Sequence, residues 1–145
     1  MTSAKVRTSD IVERFVTGEA PDPVAGTWQY YLDTDTGGIV VVLCRDNEPV
    51  DEPWNVQAAS RVAAAASGRY LAVRTPDEQE WHDCLTEFLA SIGEPGRRFD
   101  TITQWKATVG RDEWQQWEDF RRAWVVRWFV EHLHSEHEVD AEIVP

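Results

Sequence analysis

Lysine is almost missing from this chain: Lys5 and Lys106 are its only lysines among 14 basic residues, against 26 Asp and Glu. The resulting formal net charge of −12 excludes a general nucleic-acid binder and a protein drawn to anionic membranes, because both partners need a positive field. Cysteine is scarce too. Cys44 and Cys84 are too few for a disulfide framework, are not spaced as a CxxC pair, and stand among apolar neighbours as structural thiols do. The longest aliphatic stretch, Ile39 to Cys44, is far short of the ~18 residues that would cross a bilayer, and Met1 to Asp10 lacks the apolar segment of a secretory leader. A cytoplasmic protein without a membrane partner is the expectation. There is no Gly-x-Ser-x-Gly elbow and no glycine-rich loop opening a helix, so no catalytic residue and no cofactor is expected.

What is present is a chain of 145 residues, 42% hydrophobic and 28% charged, enough to bury one core and close to the usual size of a single domain, 1–145. All basic residues other than the two lysines are arginine, which with the Ala, Asp and Val content suggests a GC-rich coding sequence, as in a bacterium or its phage. Eight tryptophans are unusual at this length.

Ser9 or Asp10 is placed to cap a short helix through Phe15 and Val16 that stops at Gly18, and Ala20 to Ala25, with Pro21 and Pro23, reads as a linker. Trp28, Tyr30 and Leu32 alternate with polar or smaller neighbours, and the β-rich run Ile39 to Leu43 follows an Asp/Gly turn, which predicts an antiparallel hairpin. Arg45 to Glu52 reads as an acidic loop, Ala58 to Ala66 as a close-packed helix ended by Gly68, and Arg69 to Arg74 as a third strand. Thr75-Pro76-Asp77-Glu78 opens a helix with Pro in first position, on which Trp81, Cys84, Leu85, Phe88, Leu89 and Ile92 form one apolar stripe. Phe99, Ile102, Trp105 and Val109 mark a short helix, and a long Trp-rich one runs from about Asp112 to His134. Residues 135–145 alternate as an edge strand or form an acidic tail. The expected fold class is α+β: a small antiparallel sheet, the hairpin plus one or two strands, covered by four or five helices.

The hairpin Tyr30-Tyr31-Leu32-Asp33-Thr34-Asp35-Thr36-Gly37, the strand Arg69-Tyr70-Leu71, an acidic helix ending near Phe88 and a closing helix ending Trp128-Phe129-Val130-Glu131-His132 occur in this order. Together they resemble a bacterial family of small acidic proteins known only as an uncharacterised protein family, over roughly two thirds of the chain and without Ala58 to Ala66. The resemblance implies no activity and no site residue.

Chemistry-bearing residues are sparse. His132, His134 and His137 sit about 200° and then 300° apart on a helical wheel, so they do not converge on a metal, and none is expected. Asp33, Asp35 and Asp46 are candidates for a carboxylate cluster across the hairpin, although Asp and Thr are also good turn residues. On the long helix Trp117, Trp124 and Trp128 share a face with Arg121, which must be compensated by stacking on indoles, by pairing with a carboxylate such as Glu118, or by a partner. That face is either core or an interaction surface. Asp77, Glu78, Glu80, Asp83 and Glu87 load the preceding helix with acid and no base. The reading that follows is a non-enzymatic acidic protein-binding module, an inhibitor, immunity-type partner or nucleic-acid mimic that meets a basic protein surface through Trp117, Arg121, Trp124, Trp128, Asp77, Glu78, Asp83 and Glu87. The competing reading is a small-ligand receptor or enzyme with a pocket between the hairpin and the Trp-rich helix, walled by Trp28, Tyr30, Tyr31, Arg121 and the Asp33 region.

Overall fold

The computed structural model describes residues 2–17, 26–93 and 110–145. They divide into two compact units, Met1–Thr75 with Val130–Pro145, and Pro76–Phe129. The expected short helix around Phe99 to Val109 and the linker Ala20 to Ala25 lie outside the described residues.

The first unit is rich in strands. β2 (Thr27–Asp33) and β3 (Ile39–Arg45) form the expected hairpin, with Leu32 opposite Ile39. Its turn follows from side-chain chemistry: the Asp33 carboxylate accepts the N–H groups of Asp35 at 3.0 Å and Thr36 at 3.4 Å, as a turn-starting Asp does. Gly37 completes it at φ 82°, and a Cβ there would stand 2.8 Å from the Arg7 nitrogen. That close approach is a strand crossing, because β1 (Thr2–Arg7) donates from Lys5 N to Thr34 O at 3.1 Å and from Arg7 N to Gly37 O at 2.9 Å. β4 (Glu48–Pro49) pairs with the end of β3 across Asp46 and Asn47, both at positive φ (54° and 65°), so part of the expected acidic loop is a second, tight hairpin. β5 (Tyr70–Val73) adds to the other side of β2, giving the antiparallel order β4-β3-β2-β5.

α2 (Pro53–Ala64) starts earlier than its alanines suggest, with Pro53 in its first turn. Ala58 packs on Val42 and Cys44 of β3, close packing that small side chains permit. Asn55 is fully buried and works as an extra strand partner: it accepts from Leu43 N at 2.7 Å and donates to Leu43 O and Val50 O, each at 2.8 Å. α1 (Thr8–Val12), continued by a π-helical turn Glu13–Thr17, buries Ile11 and Phe15. Neither Ser9 nor Asp10 caps it, since Arg7 holds the cap position and no side chain bonds there; Asp10 instead accepts the Ile39 N–H at 3.1 Å.

The tail is the strand β6 (Val139–Val144), but it joins no antiparallel sheet. It pairs in parallel with β1, Thr2 opposite Val139 through Arg7 opposite Val144, and makes a separate two-stranded sheet. Ala4, Val6 and Val139 are its buried contacts. Parallel strands need a long crossover, and here nearly the whole chain lies between the two.

The second unit is a pair of helices. α3 (Glu78–Ser91) is capped by Asp77, whose carboxylate accepts from Glu80 N at 2.8 Å while Glu80 accepts from Asp77 N at 3.0 Å. Pro76 therefore precedes the cap rather than opening the helix. α4 (Arg111–His137) runs to Phe129 in this unit and contributes Val130–His137 to the strand-rich one. Buried Cys84, Leu85, Phe88 and Leu89 of α3 and Trp117, Trp124, Val125 and Phe129 of α4 form the apolar set that the helical spacing predicts.

Candidate functional site

Of the eight residues expected to meet a partner, the three indoles are inside. Trp117, Trp124 and Trp128 are 0%, 7% and 8% exposed, so the interaction face foreseen for them is packing instead. Phe88 sits against Trp117 and Phe120 at ring separations of 5.5 and 5.4 Å, and Trp81 against Trp124 at 5.5 Å. A buried indole N–H gains from an acceptor, and for Trp124 and Trp128 two of the acids supply one. The Trp124 N–H donates to Glu87, and the Trp128 N–H donates to Glu80 at 2.6 Å. Arg121 is compensated locally, paired with Glu118 at 2.9 Å and lying 5.9 Å from the Trp117 ring.

The acids of α3 are thus largely committed. Asp77 caps the helix, Asp83 accepts from Gln79 at 3.0 Å, and Glu87 also faces Arg127 at 3.5 Å. Glu78 is exposed with no bonded partner among the described residues. Cys84 is equally unsuited to chemistry: burial pushes its thiol far up, and the neighbouring Glu87 adds to the effect.

The carboxylate cluster across the hairpin does not form. Asp33 and Asp35 stand at the β2–β3 turn and Asp46 at the opposite end of β3. Arg69 takes both turn carboxylates, at 3.2 Å from Asp33 and 3.6 Å from Asp35. Burial works against the Asp33 charge, but the Arg69 guanidinium and the turn hydrogen bonds outweigh it and hold this carboxyl below its ordinary range.

The histidines behave differently from the helical-wheel reading. His134 turns toward Asp140 at 3.2 Å, whereas His132 and His137 meet edge to face at 5.1 Å where α4 ends. No group of three ligating side chains is gathered for a metal among the described residues. His132 is buried, and burial keeps its imidazole neutral, donating to Glu136; Glu136 is held ionised chiefly by Arg74 at 2.9 Å.

Two surfaces of the strand-rich unit remain. One is acidic and aromatic: Asp46, Glu48, Asp51 and Glu52 are exposed, and none forms an ion pair among the described residues. After them in the chain, Trp54 is 49% and Val56 42% exposed, with the Trp54 ring 6.1 Å from Trp28. The sequence signal was a tryptophan directly after Asp51-Glu52-Pro53, which falls on no periodic stripe and so attracts no notice. The other is a cleft of about 360 Å³ lined by Trp28, Gln29, Tyr30 and Tyr31 of β2 and by Ala72, Val73, Arg74 and Thr75. It unites three of the five wall residues foreseen for a pocket. The cation on its wall is Arg74; Asp33 stands at the far end of β2, paired with Arg69. No described helix is long and apolar enough to cross a membrane. Comparison with protein-family models, with curated proteins and with solved structures yields no match.

Proposed function

We propose that the chain is a non-enzymatic acidic protein-binding module whose partner presents a basic surface. The observation that carries this reading is Trp54, half exposed at the start of α2 just after Asp51 and Glu52 in the chain, which with Asp46 and Glu48 of the preceding β3–β4 turn and β4 are four exposed carboxylates with no ion-pair partner among the described residues. Tryptophan is among the residue types that dominate binding energies at protein interfaces. Propped against Trp28, Trp54 offers a fixed ring face on which a partner's Arg or Lys can stack while the carboxylates neutralise it. Asp77, Glu78, Asp83 and Glu87 add to the long-range field of a chain at −12, which speeds encounter with a cationic surface.

Affinity capture from a lysate of the source cell, at low and at high salt, tests this. Basic proteins are expected in the eluate at high salt, with capture reduced at least about tenfold by Trp54→Ala and strongly by joint Glu48→Gln, Asp51→Asn and Glu52→Gln. Capture indifferent to salt and to both variants would overturn the proposal.

A further inference from the structure

We infer that the outer edge of β6 is a docking site for an extended, basic segment of a partner protein, taken up by strand addition. The ladder of β1 shows which edge is open. Lys5 N–H and Arg7 N–H bond Thr34 O and Gly37 O of the hairpin turn, so these two residues point their backbone groups away from β6. Backbone groups alternate in direction along a strand, and Ala4 and Val6 therefore turn theirs toward β6. In a parallel ladder such a residue bonds the two neighbours of the residue opposite it. Ala4 stands opposite Ala141 and Val6 opposite Ile143, so Asp140, Glu142 and Val144 bond to β1. Val139, Ala141 and Ile143 direct N–H and C=O outward, where no backbone group among the described residues meets them. An open edge of this kind is a template for another strand.

The side chains describe what would lie there. Val139, Ala141 and Ile143 share one face of β6, and exposure rises along it: Val139 is buried, Ala141 half-buried and Ile143 51% exposed. Across the ladder from Ile143, Val6 is fully buried. A branched apolar side chain is thus left bare beside a buried neighbour, and an added strand would cover it.

Charge selects the occupant. Asp140 and Glu142 are exposed on the opposite face of β6. Asp140 meets His134 at 3.2 Å with both side chains largely in water, an ion pair of the kind that contributes little. Glu142 stands opposite Lys5 and forms no ion pair among the described residues. Two copies of the chain pairing antiparallel through this edge would set acid against acid, whether centred on Ala141 or on Glu142, and each copy carries −12. A segment that alternates Lys or Arg with Val or Ile places cations beside Asp140 and Glu142 and branched side chains beside Ala141 and Ile143. The site belongs to a different sheet from the one that carries the Trp54 surface, and it does not rest on the reading of that surface.

The probe is the labelled peptide acetyl-Lys-Val-Arg-Ile-Lys-Val-Arg-amide, titrated with the full chain and followed by fluorescence anisotropy. It is expected to bind, a reordered peptide with its cations grouped at one end about tenfold more weakly, and an analogue with Glu at every cationic position not measurably. Backbone N-methylation of alternate residues should abolish binding in one of the two possible sets and be tolerated in the other, because only one set faces β6. Ala141→Pro removes an outward N–H and no bond to β1, and should abolish binding. Joint Asp140→Asn and Glu142→Gln should weaken it about tenfold and keeps the test meaningful if Ala141→Pro is poorly folded. Trp54→Ala should leave it unchanged. Absence of binding at millimolar concentration, equal effects of the two methylation sets, indifference to the joint neutralisation, or loss of binding in Trp54→Ala would each overturn the inference.

Discussion

Glu80 and Glu87 on α3 each accept an indole N–H from α4, whereas Asp46, Glu48, Asp51 and Glu52 around β4 form no ion pair among the described residues. The residue types are the same, and their roles diverge because of what stands opposite. In the helical unit two tryptophans, each over nine-tenths buried, need acceptors, and a carboxylate is a strong one, so the charge there joins two helices. In the strand-rich unit the ladders and Asn55 already satisfy the backbone, so the acids around β4 stay exposed to water. Net charge alone cannot distinguish a structural carboxylate from an available one.

The contrast is broken most severely from the apolar side. Phe88→Ala removes the ring that packs on Trp117 and Phe120 and should cost about 3–5 kcal/mol, read as a shifted urea midpoint. In the strand-rich unit the matching lesion is polar. Asn55→Ala leaves Leu43 N–H and O and Val50 O without their buried partner, and a loss of about 3 kcal/mol is expected in the same measurement.

Acid should separate the two units. Buried His132 has a folded pKa below its unfolded value, so its contribution is complete above pH 6.5 and declines as pH falls below that value toward the folded pKa. Asp33 and Glu136 also have lowered folded values. Their contributions are present above the ordinary carboxylate range and are lost as pH falls through it to the folded pKa. All three belong to the strand-rich unit, so amide protection factors, corrected for the intrinsic exchange rate at each pH from 7 to 4, should fall first in β1, β5 and β6. Earlier loss of protection in α3 would contradict this.

The smallest effects sharpen the comparison directly. Glu80→Gln keeps an acceptor for Trp128 but gives up its charge, and about 1 kcal/mol is expected. Joint neutralisation of Glu48, Asp51 and Glu52 should change the urea midpoint by less than about 0.5 kcal/mol equivalent, since they hold nothing together. Equal costs for the two sets would erase the distinction drawn between them.

Strong periodicity made α3, α4, the β2–β3 hairpin and β5 legible from residues alone. Arg121 is also compensated as its position requires, by Trp117 and Glu118. β1 was illegible for a physical reason. Thr2 to Arg7 has only Ala4 and Val6 as apolar residues, and it is a strand because β6 and the Gly37 turn supply hydrogen-bond partners from far along the chain. β4 is two residues long and depends on left-handed Asp46 and Asn47, which polar composition reads as loop. Trp54 fell outside every stripe for the same reason that makes it available: nothing in the fold needs it as core.

The sequence by itself thus determined the α+β class, the apolar stripes and the sign of the charge, because these depend on composition and on neighbours within a few positions. Tertiary structure alone decided which tryptophans are core, which carboxylates are consumed by indoles and arginines, and which strand pairs with β1. Each of those outcomes depends on partners dozens of residues away, and burial changes the hydrogen-bonding demands of a group only once those partners have met.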